Sequence, residues 1–177
     1  MHHKVGIIDG NLQKRYECIT DTNIKEFNQK ESHHGDEILD FLEDVSDLDV
    51  YYFDACDDKG KINSNKILEG LQWMKNNGVS HVDISLSSRK YSKEIEEWIK
   101  ENKDNLIVYA SYNNQKESSD YPAMYKYVRG SGINKEVMDG EKDIIYKTNE
   151  IVVNRKKKVV GNSFLSIMTL LNDIKNK

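Results

Sequence analysis

Cysteine and long apolar runs are scarce in this sequence of 177 residues. The two cysteines, Cys18 and Cys56, could form at most one disulfide, and neither has a second cysteine at a metal-binding spacing. The first apolar run, residues 5–8, is interrupted by Asp9 and is too short for a secretion signal. No run approaches the ~18 apolar residues of a membrane span. We therefore expect a reduced, cytoplasmic setting, no pro-region and no membrane partner.

A surplus of positive charge is also missing. Lysine and arginine number 26 against 30 aspartates and glutamates, so the formal net charge is -4. Binding through a phosphate backbone needs clustered positive charge, and no nucleic-acid partner is therefore expected. The length and the hydrophobic share of 37% suit one layered domain over residues 1–177.

Short β-branched runs alternate with helical periodicity over the first 110 residues. We predict strands at residues 4–8, 50–53, 79–86 and 106–110, and helices at about 34–45, 62–77 and 91–101. Gly78 is a plausible C-cap of the second helix. Residues 11–31 are polar and have no clear period. The alternation predicts an α/β fold, a three-layer, doubly wound, mainly parallel sheet with helices on both faces.

The last third has a different pattern. The stretch from the only proline, Pro122, to about residue 149 is predicted to be loop with short strands. Residues 151–153 and 159–160 flank the basic run 154–158, which predicts a hairpin. Such a basic turn could bind phosphate, but a solvated turn is the simpler interpretation. A final amphipathic helix follows, with apolar residues from Phe164 to Ile174.

Several reactive side chains follow predicted strands or begin predicted helices. Asp9 ends the first strand, His34 begins the first helix, Asn113 and Asn114 follow the strand ending near residue 110, and Ser163 begins the last helix. In an open α/β sheet, ligands bind beyond the carboxyl ends of the strands. A serine, a histidine, an aspartate and an amide are the parts that acyl transfer requires. Taken singly, each residue is more often a turn, surface or capping residue.

The sequence around these residues resembles the subtilases, the subtilisin-like serine proteases, in collinear order. VGIIDG at residues 5–10 is similar to the strand that ends in the family's catalytic Asp, and HGDEI at 34–38 is similar to H-G-T-H-V, whose first His is catalytic. GNSF at 161–164 is similar to G-T-S-M, which carries the nucleophile. The order Asp, His, Ser is also that of the family.

Four further segments continue the resemblance. Residues 50–73 are similar to a strand, turn and helix of the family, and YPA at 121–123 matches a downstream motif. DISLSS at 83–88 is similar to N-M-S-L-G-G, the edge that pairs with the substrate backbone, and IVYASYNN at 107–114 is similar to V-V-A-A-A-G-N, which supplies the oxyanion Asn. The resemblance implies substrate-binding roles for Ser85, Leu86, Ser87, Ala110, Ser111 and Tyr112.

The sequence departs from the family pattern at several motif positions. Gly10 follows Asp9 without the usual Ser or Thr, and Glu37 replaces the second His. Asn162 replaces Thr, and Ile167 stands where the family has Pro. These departures affect the residues that surround the triad more than the triad itself. The chain is also shorter than typical family catalytic domains.

Two departures bear on the substrate. Tyr112 stands where a small residue lines the primary specificity pocket, which predicts a narrower or reshaped pocket. Asn113 stands where Gly is expected, so either asparagine could be the oxyanion donor. We prefer Asn114, because Ala110 and Ser111 then align with the small-residue pair of the family.

The resemblance implies a subtilisin-like serine endopeptidase with Asp9, His34 and Ser163 as the triad and Asn114 as the oxyanion donor. We expect narrow specificity toward a peptide or protein substrate, with no metal and no cofactor. The shortness of the chain leaves a companion protein chain open. One alternative keeps the fold as an inactive peptide- or partner-binding protein. A third, a metal-dependent nuclease of the PIN or NYN type, would gather Mg²⁺ with Asp9, Asp36 and Asp83.

Overall fold

The structure is a computed structural model that describes residues 2–30, 33–57, 59–113, 120–132, 151–153, 157–159 and 161–176. In these ranges the helices are α1 (His34–Leu42), α2 (Ser64–Asn76), α3 (Lys93–Asn102) and α4 (Asn162–Lys175). The strands are β1 (His3–Asp9), β2 (Ile19–Thr22), β3 (Leu48–Asp54), β4 (His81–Ile84), β5 (Ile107–Ser111), β6 (Val128–Ser131), β7 (Ile151–Val153) and β8 (Lys157–Val159). The predicted α/β class is confirmed.

Strand order in the main sheet is β2-β3-β1-β4-β5-β6, and β7 and β8 form a separate antiparallel hairpin. The pairings of β1 with β3, β2 with β3, and β5 with β6 are parallel. The chain divides into two compact units, Met1–Val82 and Asp83–Lys177, and the division falls inside β4. Each unit is described by itself below.

In the first unit, helices cover both faces of the sheet. Tyr52 of β3 is in register with Ile7 of β1, and Phe53 with Ile8. Successive side chains of a strand point to opposite faces, so these two pairs lie on opposite sides. A Cβ on Gly35 of α1 would overlap the Tyr52 hydroxyl, whereas a Cβ on Gly70 of α2 would lie 2.9 Å from the Phe53 ring. The two helices therefore pack on opposite faces, as predicted.

The second unit is organised around α4. Its apolar side chains other than Met168 are buried, and the helix packs on β5 and β6. Tyr109 of β5 donates a 2.6 Å hydrogen bond to Asp173 of α4, and Arg129 of β6 forms an ion pair with the same carboxylate. Ser131 of β6 and Thr169 of α4 are hydrogen-bonded through their hydroxyls at 3.2 Å. These contacts fix the second half of the helix against β5 and β6.

Several boundaries differ from the sequence prediction. β2 lies in the stretch that shows no period, because it is an edge strand of which only Ile19 is fully buried. α1 ends at Leu42 rather than near residue 45, and β4 covers His81–Ile84 rather than 79–86. Lys157 and Lys158, predicted to lie in a basic turn, belong to strand β8, and residues 154–156 of the predicted turn lie outside the described residues.

The contact between Gly35 and Tyr52 yields a test of the fold. We expect Gly35→Ala to lower the free energy of unfolding by about 1–2 kcal/mol, because overpacking outweighs the higher helix propensity of alanine. Urea unfolding followed by tryptophan fluorescence measures this change. Gly10→Ala is the control, since a Cβ there lies 3.5 Å from the Cys56 sulfur, an ordinary contact. Equal unfolding midpoints for the parent and Gly35→Ala would contradict this packing.

Candidate active site

Asp9 is a buried carboxylate at the carboxyl end of β1, with 1% of its surface exposed. Its Oδ1 accepts a 2.8 Å hydrogen bond from the backbone N–H of Gly10, and its Oδ2 lies 2.7 Å from Nδ1 of His34. A carboxylate removed from water is costly unless it is hydrogen-bonded, and both oxygens have partners here. The predicted Asp9–His34 pair is thus brought together within the first unit.

His34 is the first residue of α1, and 42% of its side chain is exposed. An ionised carboxylate only accepts hydrogen bonds, so Nδ1 donates to Asp9. In the neutral imidazole Nε2 then carries the lone pair and can act as a base. The arrangement fixes the tautomer and leaves much of the ring open to solvent.

Asp36 holds the start of α1 in place. It is 2% exposed, and its carboxylate accepts from three donors. The backbone N–H of His33 donates at 2.7 Å, that of Gln13 at 3.0 Å and the Tyr16 hydroxyl at 3.0 Å. Burial, followed by the hydrogen bond to Asp36, raises the pKa of Tyr16, so this phenol remains a neutral donor. The loop between β1 and β2 and the residue before His34 are therefore both bonded to Asp36.

Tyr52 connects the ends of β1 and α1. Its hydroxyl donates a 2.7 Å hydrogen bond to the carbonyl oxygen of Gly10 and lies where a Cβ of residue 35 would be. Burial raises the pKa of Tyr52 well above its ordinary value, and the charge of Asp9 adds to the effect. The residue after Asp9 and the residue after His34 thus both contact one neutral phenol.

A cysteine near this pair is not an activated nucleophile. The Cys56 sulfur lies beside Gly10. The backbone N–H of Cys56 donates a 2.8 Å hydrogen bond to the Asp54 carboxylate. Burial and then the charge of Asp54 raise the pKa of the Cys56 thiol to about 11. Catalytic thiols have a lowered pKa, since the thiolate is the nucleophile. Burial also raises the pKa of the Asp54 carboxyl.

In the second unit, Ser163 is the second residue of α4 and is half-buried. Its Oγ lies 3.5 Å from the Oγ of Ser111, at the end of β5. The first N–H groups of a helix have no partner within the helix and form the positive end of its dipole. A hydroxyl at this position lies beside donors suited to a developing anion.

The segment after β5 is attached to the start of α4. The Asn162 side-chain amide donates to the carbonyl oxygens of Tyr112 at 2.7 Å and Asn113 at 3.1 Å. The backbone N–H of Asn113 donates to Asp120, a carboxylate that is 1% exposed, at 3.0 Å. Asn162, which replaces the Thr of the family motif, therefore has a structural role. The preferred oxyanion donor, Asn114, lies outside the described residues.

The predicted substrate-binding residues have different surroundings. Ala110, Ser111, Ser85 and Leu86 are buried, whereas Ser87 is exposed. The ring of Tyr112 fills the space left by two glycines, since a Cβ on Gly130 or Gly132 would lie 2.8 Å or 3.2 Å from its side chain. Burial raises the pKa of Tyr112. The side chain thus packs beside β6.

The carboxylates of the nuclease alternative are each bonded to other groups within their own unit. Asp36 is bonded to the loop before α1, and Asp83 accepts from the Ser85 and Ser166 hydroxyls. Within the described ranges, no group of three or more His, Cys, Asp or Glu side chains could hold a metal ion. In the same part of the chain, no helix has the length and apolar character needed to cross a membrane.

The sequence matches no protein-family model and no curated protein. Solved protease structures do share its fold. The protease domain of PatA has a TM-score of 0.68 at 15% identity, over 94% of this chain and 76% of that chain. The prenylagaramide maturation protease PagA has a TM-score of 0.64 at 14% identity, and the match covers 95% of this chain and 72% of PagA.

A third similar structure is Apa1, a subtilisin-like protease from the Antarctic psychrotroph Pseudoalteromonas sp. AS-11. Its TM-score is 0.62 at 14% identity, over 73% of this chain and 35% of that chain. The chain thus spans about a third of Apa1 but about three quarters of PatA and PagA. Together these similarities show a subtilisin-like fold.

The anchoring role of Asp36 can be tested separately from any chemistry. We expect Asp36→Asn to lower the free energy of unfolding by about 1–3 kcal/mol, because the amide turns a donor toward groups that are themselves donors. Urea unfolding provides the measurement. Asp40→Asn is the matched control, since this residue is exposed on the same helix and should change stability by less than about 0.5 kcal/mol. Equal losses in the two variants would refute the anchor.

Proposed function

We propose that this chain is a subtilisin-like serine peptidase whose triad is Asp9, His34 and Ser163. The 2.7 Å hydrogen bond that Nδ1 of a partly exposed His34 donates to the buried Asp9 carboxylate is the observation that carries the proposal. It is the pair that a serine nucleophile needs, a base held in one tautomer by a carboxylate. The subtilisin-like fold and the position of Ser163 at a helix start support it.

The proposed mechanism follows the chemistry of these groups. Ser163 attacks the peptide carbonyl while Nε2 of His34 takes its proton and later delivers it to the leaving amine. Asp9 stabilises the imidazolium cation without becoming protonated. The backbone N–H of Ser163 and the amide of Asn114 stabilise the tetrahedral oxyanion, helped by the dipole of α4.

The proposed substrate is a narrow set of peptides, such as a precursor or leader peptide. Tyr112 supports this choice because a large residue replaces the small one that the family has at its specificity pocket. One of the similar structures, PagA, is itself named as a maturation protease. Segment 85–87 would pair with the substrate backbone, as the resemblance implies.

A fluorophosphonate probe tests the nucleophile without a known substrate. Attack by an activated serine forms an O–P bond and releases fluoride, so intact-mass spectrometry should show one adduct on the parent protein. Peptide mapping should place it on Ser163 rather than on Ser111. We expect no adduct on Ser163→Ala or His34→Ala, and a rate lower by about 10⁴-fold for Asp9→Asn.

The matched control is Ser92→Ala, which removes a serine that caps another helix, α3. This variant should lose about 1 kcal/mol of stability and still form the adduct. If Ser163→Ala formed the adduct at the rate of the parent protein, the proposed triad would be refuted. A parent protein that forms no adduct would favour the inactive peptide- or partner-binding alternative.

The oxyanion donor has its own test. We expect Asn114→Ala to lower kcat for an activated ester, p-nitrophenyl acetate, by ~10²–10³ with little change in KM, because the amide acts on the transition state. Asn113→Ala is the comparison, since it keeps the backbone N–H and carbonyl of Asn113 that bond to Asp120 and Asn162. A larger loss in Asn113→Ala would move the oxyanion role to that residue.

A further inference from the structure

A second buried carboxylate, Asp83, lies in β4 within the second unit. It is fully buried, and each of its oxygens accepts from a serine hydroxyl, Oδ2 from Ser85 and Oδ1 from Ser166. Ser166 is also fully buried. Hydrogen bonds to an ionised acceptor are shorter and roughly twice as strong as neutral ones. Asp83 therefore joins two parts of the unit that are distant in sequence.

The two serines connect Asp83 to the parts of the unit that the proposed function uses. Ser166 lies three residues after Ser163 in α4, so both lie on one side of the helix, one turn apart. Ser85 begins the segment assigned to the substrate backbone. One carboxylate thus contacts the helix that bears the nucleophile and the segment that would receive the peptide.

We propose that Asp83 is a positioning residue that fixes Ser163, through Ser166, relative to the substrate-binding segment 85–87. The inference rests on the proposed peptidase function. The similar family motif has Asn at this position, and an amide offers one acceptor oxygen and one donor nitrogen where the carboxylate offers two acceptors. Serine hydroxyls both donate and accept, so an amide can still hold both serines.

The test measures the rate of fluorophosphonate labelling in folded, full-length protein. Ser166→Ala removes the link to α4, and we expect the labelling rate to fall by about 10–100-fold, since small displacements of a reacting atom have effects of this size. Asp83→Ala should show a similar fall. Asp83→Asn should recover most of the rate, which a loss of packing alone would not predict.

Thr169→Val is the matched control. Thr169 is a fully buried hydroxyl one turn further along α4, bonded to Ser131 on β6. This variant should lower the unfolding midpoint and leave the labelling rate within about threefold of the parent, because the Thr169 hydroxyl is bonded to Ser131 of β6 and not to Asp83. With p-nitrophenyl acetate, Ser166→Ala should lower kcat and leave KM unchanged.

The outcomes separate the two proposals. If the parent is labelled and a folded Ser166→Ala variant is labelled at the same rate, the positioning role is overturned and the peptidase proposal stands. Equal falls in Ser166→Ala and Thr169→Val would also overturn it, since the effect would then be structural. If the parent itself is not labelled, both proposals fail. Should Asp83→Ala not fold, Ser166→Ala decides the matter alone.

Discussion

The hydroxyl of Tyr52 is the point on which the geometry of the first unit depends. It donates to the carbonyl of Gly10, the residue after Asp9, and fills the space above Gly35, the residue after His34. Tyr52 itself is fixed by the parallel register of β3 on β1. The distance between the carboxylate and the imidazole is therefore set by strand pairing and by one buried phenol.

Buried carboxylates fix both helices that carry proposed reactive residues. Asp36 accepts from the loop between β1 and β2 and from the residue preceding His34, and Asp83 accepts from Ser166 of α4. In each case a negative charge is sequestered from water, a cost that only well-placed donors offset. In return, the hydrogen bonds hold the first part of each helix in one position. Such precision matters more for a reacting atom than for stability alone.

The sequence predicts the strands and helices whose apolar residues repeat with a clear period. It places Asp9 at a strand end and His34 at a helix start, but only the resemblance to the subtilases implies that the two act together. It misses β2, an edge strand of polar residues held by backbone pairing. It also misses the role of Asp36, since an acid in a first helical turn is common for reasons of dipole and capping. Ser166 is hidden in the same way, as a small residue in an apolar helix face. Side-chain networks of this kind have no period to detect.

Not every match to the family pattern carries the same weight for function. The Gly that follows His34 is explained by packing, because a Cβ there would displace the Tyr52 hydroxyl. The Asp9–His34 pair is not explained in this way. A partly exposed hydrogen bond contributes little to stability, and burying Asp9 costs free energy that an apolar residue at the end of β1 would not. The geometry of the pair suits the proposed chemistry, in which a carboxylate orients a base.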